Sequence, residues 1–73
     1  MPDEILKRHL ALAIRHAEKG ERLVREQLQR VEYLEKNGHD ATSSKRFLEL
    51  LIQTLALMTE HLAQLERERE LRD

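Results

Sequence analysis

Three histidines are the residues of this chain whose type and spacing invite chemistry. His9 and His16 are seven positions apart, two turns of a helix, so both leave a helix from the same edge. His61 occupies the corresponding edge of a second helical segment. If the chain folds back on itself, His16 comes within about one turn of His61. Imidazole binds metals and moves protons near neutral pH. A zinc site, however, needs three or four ligands and an ordered outer shell, and the chain has no cysteine. A di-iron bundle needs Glu-x-x-His pairs on its helices, and the sequence contains none. The expectation is no metal, no cofactor and half-exposed histidines flanking an apolar stripe.

Other chemistry is weaker still. Dimeric helical hairpins of sensor kinases carry a phosphorylated histidine, but Thr59-Glu60-His61-Leu62-Ala63-Gln64 lacks the acidic residue and the downstream proline of that family. Thr42, Ser43 and Ser44 read as helix-start residues rather than nucleophiles. Two helices offer no concave pocket for catalysis, so no enzymatic activity is expected. Arg8, Arg15, Arg22 and Lys36 form a basic line at heptad spacing on the outer face of the first helix. That line resembles the RNA-binding face of the dimeric hairpin ROP. Glu18, Glu26 and Glu32 stand three or four residues from those cations and are expected to pair with them. Phosphate binding favours unpaired positive charge, so nucleic acid is the secondary reading.

The elements that position these residues are set by Asn37-Gly38-His39-Asp40. Gly38 suits a left-handed helix stop, and Asp40 or Thr42 suits the next helix start. The expected domain is a single all-α hairpin: helix 1 over about residues 3–37, a turn over about 38–41, and helix 2 over about 42–69. Pro2 suits a first helical turn, and Asp3 and Glu4 suit the positive end of the helix dipole. In helix 1, Leu6, Leu10, Ala13, Ala17, Gly20, Val24, Gln27, Val31 and Leu34 alternate steps of four and three, one unbroken stripe. Because the phase continues through Gly20, an unbroken helix is expected, with Gly20 admitting a large facing side chain. Ile14 and Leu28 widen the stripe on one side; Ile5, Leu12 and Leu23 lie off it on the other.

Helix 2 carries Leu48, Leu51, Leu55, Met58, Leu62 and Leu65 on its stripe. Ile52 flanks it on one side, and Phe47, Leu50 and Leu57 on the other. These residues span an arc of about 200°, against the roughly 100° that one helix needs to face one core. The charged tail from Glu66 to Asp73 is expected to fray. Antiparallel pairing should set Val31 near Leu48 to Leu51, Val24 near Leu55 to Met58 and Ala17 near Leu62 to Leu65, to within about half a heptad.

Composition agrees. Charged residues make up 37% and aromatics 3%, with one proline and no tryptophan, the profile of helical bundles. A net charge of −1 gives no bulk attraction to nucleic acid or anionic membrane. Met1-Pro2-Asp3-Glu4 has no apolar signal core, and the run from Phe47 to Met58 is too short and polar to span a bilayer. A cytoplasmic protein without a membrane partner is expected.

Ala17-Glu18-Lys19-Gly20-Glu21-Arg22, Gly38-His39-Asp40-Ala41-Thr42, Phe47-Leu48-Glu49-Leu50-Leu51 and His61-Leu62 together resemble a group of short, uncharacterised α-proteobacterial helical-hairpin proteins with a Gly-His-Asp-Thr-like turn. This chain differs from the group by Ala41 between Asp40 and Thr42. The resemblance implies the hairpin and brings no activity with it. A chain of 73 residues without disulfide or metal gains its core most simply by association. The reading is therefore a homodimer, a four-helix bundle, with Phe47, Leu50 and Leu57 meeting Leu12 and Leu23 at the interface. A structural or adaptor role follows, with an unidentified protein partner as the variant of that reading.

Overall fold

The computed structural model describes residues 3–72. Pro2 and Asp73, named above for the first turn and the tail, lie outside that range. Helix α1 spans Asp3–Lys36 and α2 spans Thr42–Arg72, and the two pack side by side as a hairpin. Acidic Asp3 and Glu4 occupy the first turn of α1 and basic Lys36 its last, each complementing the helix dipole. The molecule measures 54 × 14 × 13 Å, close to the roughly 50 Å that a helix of this length reaches at 1.5 Å per residue.

The stripe read from the sequence is the seam. On α1, Leu6, Leu10, Ala13, Ala17, Gly20 and Val31 are buried, and Val24, Gln27 and Leu34 are half-buried. On α2, Leu65 is buried, and Leu48, Leu51, Leu55, Met58 and Leu62 are half-buried. Helix α1 runs unbroken through Gly20. The reason is contact: a Cβ at that position would meet Leu55 Cδ1 at 3.1 Å and Met58 Sδ at 3.3 Å. The missing side chain is what lets two large residues of α2 approach the α1 backbone.

The register differs from the sequence reading by about half a heptad. Gly20, rather than Val24, faces Leu55 and Met58, and Ala13 clusters with Leu6, Leu10, Leu65 and Leu62. The cause lies at the start of α2. Ala41 is buried and Ser44 half-buried, so the stripe of α2 begins at Ala41 and runs 41, 44, 48. Gln27 donates a hydrogen bond from Nε2 to the Ser44 carbonyl at 3.0 Å, which fixes this end of the register.

The turn stops α1 by a Schellman arrangement. The His39 N–H donates to the Leu34 carbonyl at 2.8 Å and the Gly38 N–H to the Glu35 carbonyl at 3.2 Å, which satisfies carbonyls the helix leaves free. Gly38 has φ of 72°, as the sequence requires. Asn37 Nδ2 donates to the Tyr33 carbonyl at 2.8 Å. At the start of α2 the capping is divided. The Ala41 carbonyl accepts the first helical bond, from the Lys45 N–H at 2.8 Å. Asp40 Oδ1 accepts from the Thr42 N–H at 3.0 Å and from the Thr42 hydroxyl at 2.7 Å. Asp40 is therefore the acceptor and Thr42 the donor, with Ala41 between them turned into the seam.

The expected fraying is not seen: α2 continues to Arg72. Glu, Arg and Leu are good helix formers, which favours continuation of the helix.

The two glycines are not equivalent, and paired substitutions should separate them. Nothing lies within 4 Å of a Cβ built at Gly38. Gly38→Val should therefore lower stability through backbone strain alone, by roughly 1 kcal/mol or more. Gly20→Ile should destabilise by about 1–3 kcal/mol through overpacking. Gly20→Ala should come close to neutral, since the helix propensity gain of about 1 kcal/mol offsets small shifts at two flexible side-chain ends. Urea denaturation followed by helicity reads all three.

Candidate interaction surface

The hairpin has two edges beside its seam, and they differ. One carries Ile14, Leu28 and Ile52, each exposed by nearly half, together with an ion pair between Lys45 Nζ and Glu35 Oε2 at 2.7 Å. The other carries Ile5, Leu12 and Leu23 from α1 and Phe47, Leu50 and Leu57 from α2. Their exposure runs from 39% at Ile5 and Leu23 to 69% at Leu57. Tyr33 is exposed on this side too. All five residues read from the sequence as interface positions (Phe47, Leu50, Leu57, Leu12 and Leu23) thus lie on one side and are exposed. Leu12 lines a groove with His61 of α2 and Leu23 lines one with Met58; His61 is two heptads from Phe47 on the same edge of α2.

Those grooves hold the histidines. His9, Leu12, Ala13, His16 and His61 line an open groove of about 340 Å³. His16, Lys19, Gly20, Leu23 and Met58 line a second of about 310 Å³. His16 belongs to both, so they form one trough along the seam's edge. The sequence reading had His16 close to His61, and the fold places both in the same groove, joined by His9. Among the described residues, no group of three or more His, Cys, Asp or Glu is placed to hold a metal ion. Ala63 is half-buried and lies beside the seam.

The polar groups of the turn are satisfied locally. Asp40 is held below the usual carboxylate value by the Thr42 hydroxyl and then the Thr42 N–H. Lys45 is held above the usual ammonium value by the hydrogen bond and charge of Glu35. The Asp40 contribution is present above the ordinary carboxylate range and is lost as pH falls through it. The Lys45 contribution is present below the ordinary lysine range and is lost as pH rises beyond it. Both groups are fully exposed, so these are small effects, and neither changes charge near neutrality.

The basic line is present on α1, where Arg8, Arg15, Arg22 and Lys36 are all exposed. The pairing expected for it is not. Among the described residues the ion pair formed is Glu35–Lys45, and none joins the line to Glu18, Glu26 or Glu32. On an exposed helix, holding two long side chains in one geometry gains little. Thr54, on the apolar side of α2, donates its hydroxyl to the Leu50 carbonyl at 2.9 Å and so presents no unmet donor outward. Among the described residues, no helix is long and apolar enough to cross a membrane. No protein-family model matches the chain, and neither the curated proteins nor the solved structures give a match.

Proposed function

We propose that this chain is a small structural module that works as a homodimer, joined through the face that carries Phe47, Leu50, Leu57, Leu12 and Leu23. The observation that carries the reading is the one-sided exposure of large apolar side chains. Leaving each in water forgoes roughly 1.5–3 kcal/mol, a large share of the 5–15 kcal/mol that a domain has in reserve. The opposite edge has three such residues and an ion pair; this one has six, with Tyr33 beside them.

The surface area supports it. The chain exposes 5941 Å², whereas a folded monomer of its 8.7 kDa mass would expose about 4,700 Å². The excess of about 1,200 Å² exceeds the roughly 800 Å² that each partner contributes to a standard interface. Among the described residues no side chain is completely buried, so the hairpin alone has a seam but little core. A two-fold axis covers one self-complementary patch with its own copy, the commonest arrangement among oligomers. The four helices then form a bundle with no catalytic role, in keeping with a cysteine-free chain in the cytoplasm.

Leu50→Glu with Leu57→Glu should place charges at the interface and yield monomers or unfolded chain. Sedimentation reads the result. If the parent is monomeric and cooperatively folded at high micromolar concentration, the homodimer is wrong and the face belongs to a foreign helix.

The second reading is a dimeric nucleic-acid binder using Arg8, Arg15 and Arg22, favoured by the absence of pairing along that line. Changing all three to Gln should leave fold and association nearly intact, since exposed charges contribute only about 0.2–1 kcal/mol each. Retention on RNA or DNA at graded salt separates the two. Tight, steeply salt-dependent binding in the parent, lost in the triple variant, would favour the nucleic-acid reading over the structural one.

A further inference from the structure

We infer that association through this face is gated by pH, and that protonation of His16 and His61 drives two copies apart. The inference rests on the homodimer reading. Three of the chain's four histidines are on the face that reading would bury, and His16 and His61 share one groove from opposite helices. This is an uneven placement. His39, the fourth, sits in the exposed turn.

The surroundings of the pair offer a cation no partner. One turn away on α1, His16 has Leu12 and Ala13 on one side and Lys19 and Gly20 on the other. Lys19 lines the trough beside it. One turn away on α2, His61 has Leu57 and Met58, then Gln64 and Leu65. Glu60 precedes His61 but leaves the helix about 100° round from it. Glu26 is nearly three turns beyond His16. Glu68 is two turns beyond His61 and nearest in register to His9, and among the described residues no ion pair joins it to a histidine. Glu68 is thus nearest in register to His9, while His16 and His61 line one groove and Lys19 lines the adjoining one beside His16.

Neutral imidazoles can be covered by apolar side chains while their ring nitrogens meet water or each other. Two imidazolium ions beside an ammonium, covered by a second copy's leucines, lose hydration and gain repulsion. The separated chain therefore takes up protons more readily than the dimer. By linkage, association is strongest above the ordinary imidazole range, near pH 6.5, and weakens as pH falls through it. Asp40 and Lys45, shifted away from neutrality in opposite directions, leave this window to the histidines.

The test is sedimentation of the parent from pH 8 to pH 5.5 at constant ionic strength, beside His16→Gln/His61→Gln and His39→Gln. The parent dissociation constant should rise at least tenfold across that range. The double variant should lose most of this dependence, and His39→Gln should keep it. A parent that dimerises equally or more tightly at pH 5.5 overturns the gate while leaving the homodimer standing. So does a double variant with the parent's slope. A parent monomeric at pH 8 overturns both. Should the double variant fail to associate, imidazole NMR titration of the parent decides. His16 and His61 should take up protons at lower pH in concentrated than in dilute solution, with His39 unchanged; equal titration overturns the gate.

Discussion

Two helices laid side by side share a line of contact and enclose no interior. Everything else in this structure is a response to that constraint. Ala13, Ala17 and Gly20 give up side-chain volume on α1 so that Leu55, Met58, Leu62 and Leu65 can be large on α2. The contact at Gly20, with Leu55 Cδ1 at 3.1 Å from where a Cβ would stand, shows how tightly that exchange is drawn. Yet most of the α2 stripe stays half-buried, because a single neighbour can cover only about 100° of a helix. The width of the apolar arc on α2 is the unmet half of the same constraint.

The placement of histidine beside the seam follows from it as well. His9, His16 and His61 are exposed in the single hairpin, beside the seam rather than in it. In the proposed dimer the same ring would be covered in one state and wet in the other; a flank leucine would not make association sensitive to acidity. The turn does not share this ambiguity: its carboxylate, hydroxyl and amide groups answer one another within a few residues.

Much of this was legible in the residues, and the reasons are local. Alternating steps of three and four identify the seam because a helix can present one stripe only. Asn37-Gly38 identifies the stop because few residues adopt positive φ. The register depends on geometry between elements, and the sequence left it open by about half a heptad. The register slipped by about half a heptad because Ala41 looks like an insertion between Asp40 and Thr42. Its place at 41, 44, 48 was the available signal, since it continues the heptad backwards. The charge of the tail suggests fraying, but its Glu, Arg and Leu residues favour helix, and α2 continues to Arg72. The ion pairs expected along Arg8, Arg15 and Arg22 failed because spacing permits a pair and solvent removes the incentive to make it. The common face of Leu12, Leu23, Leu50 and Leu57 was readable from the wheel, because the side on which a residue leaves its stripe survives a shift in register.

The best-buried cluster, Leu6, Leu10, Ala13 and Leu65, lies at the open end of the hairpin, farthest from the turn. That position carries a kinetic meaning. Contacts near the turn, such as Gln27 to Ser44, close a short stretch of chain and need little loop-closure entropy. Each contact formed shortens the search for the next, so loop-closure entropy favours closing the seam outward from the turn. Once formed, the distal cluster acts as a clasp on the end where helices ordinarily splay. The rod is held shut at both extremities, by hydrogen bonds at one and by leucines at the other.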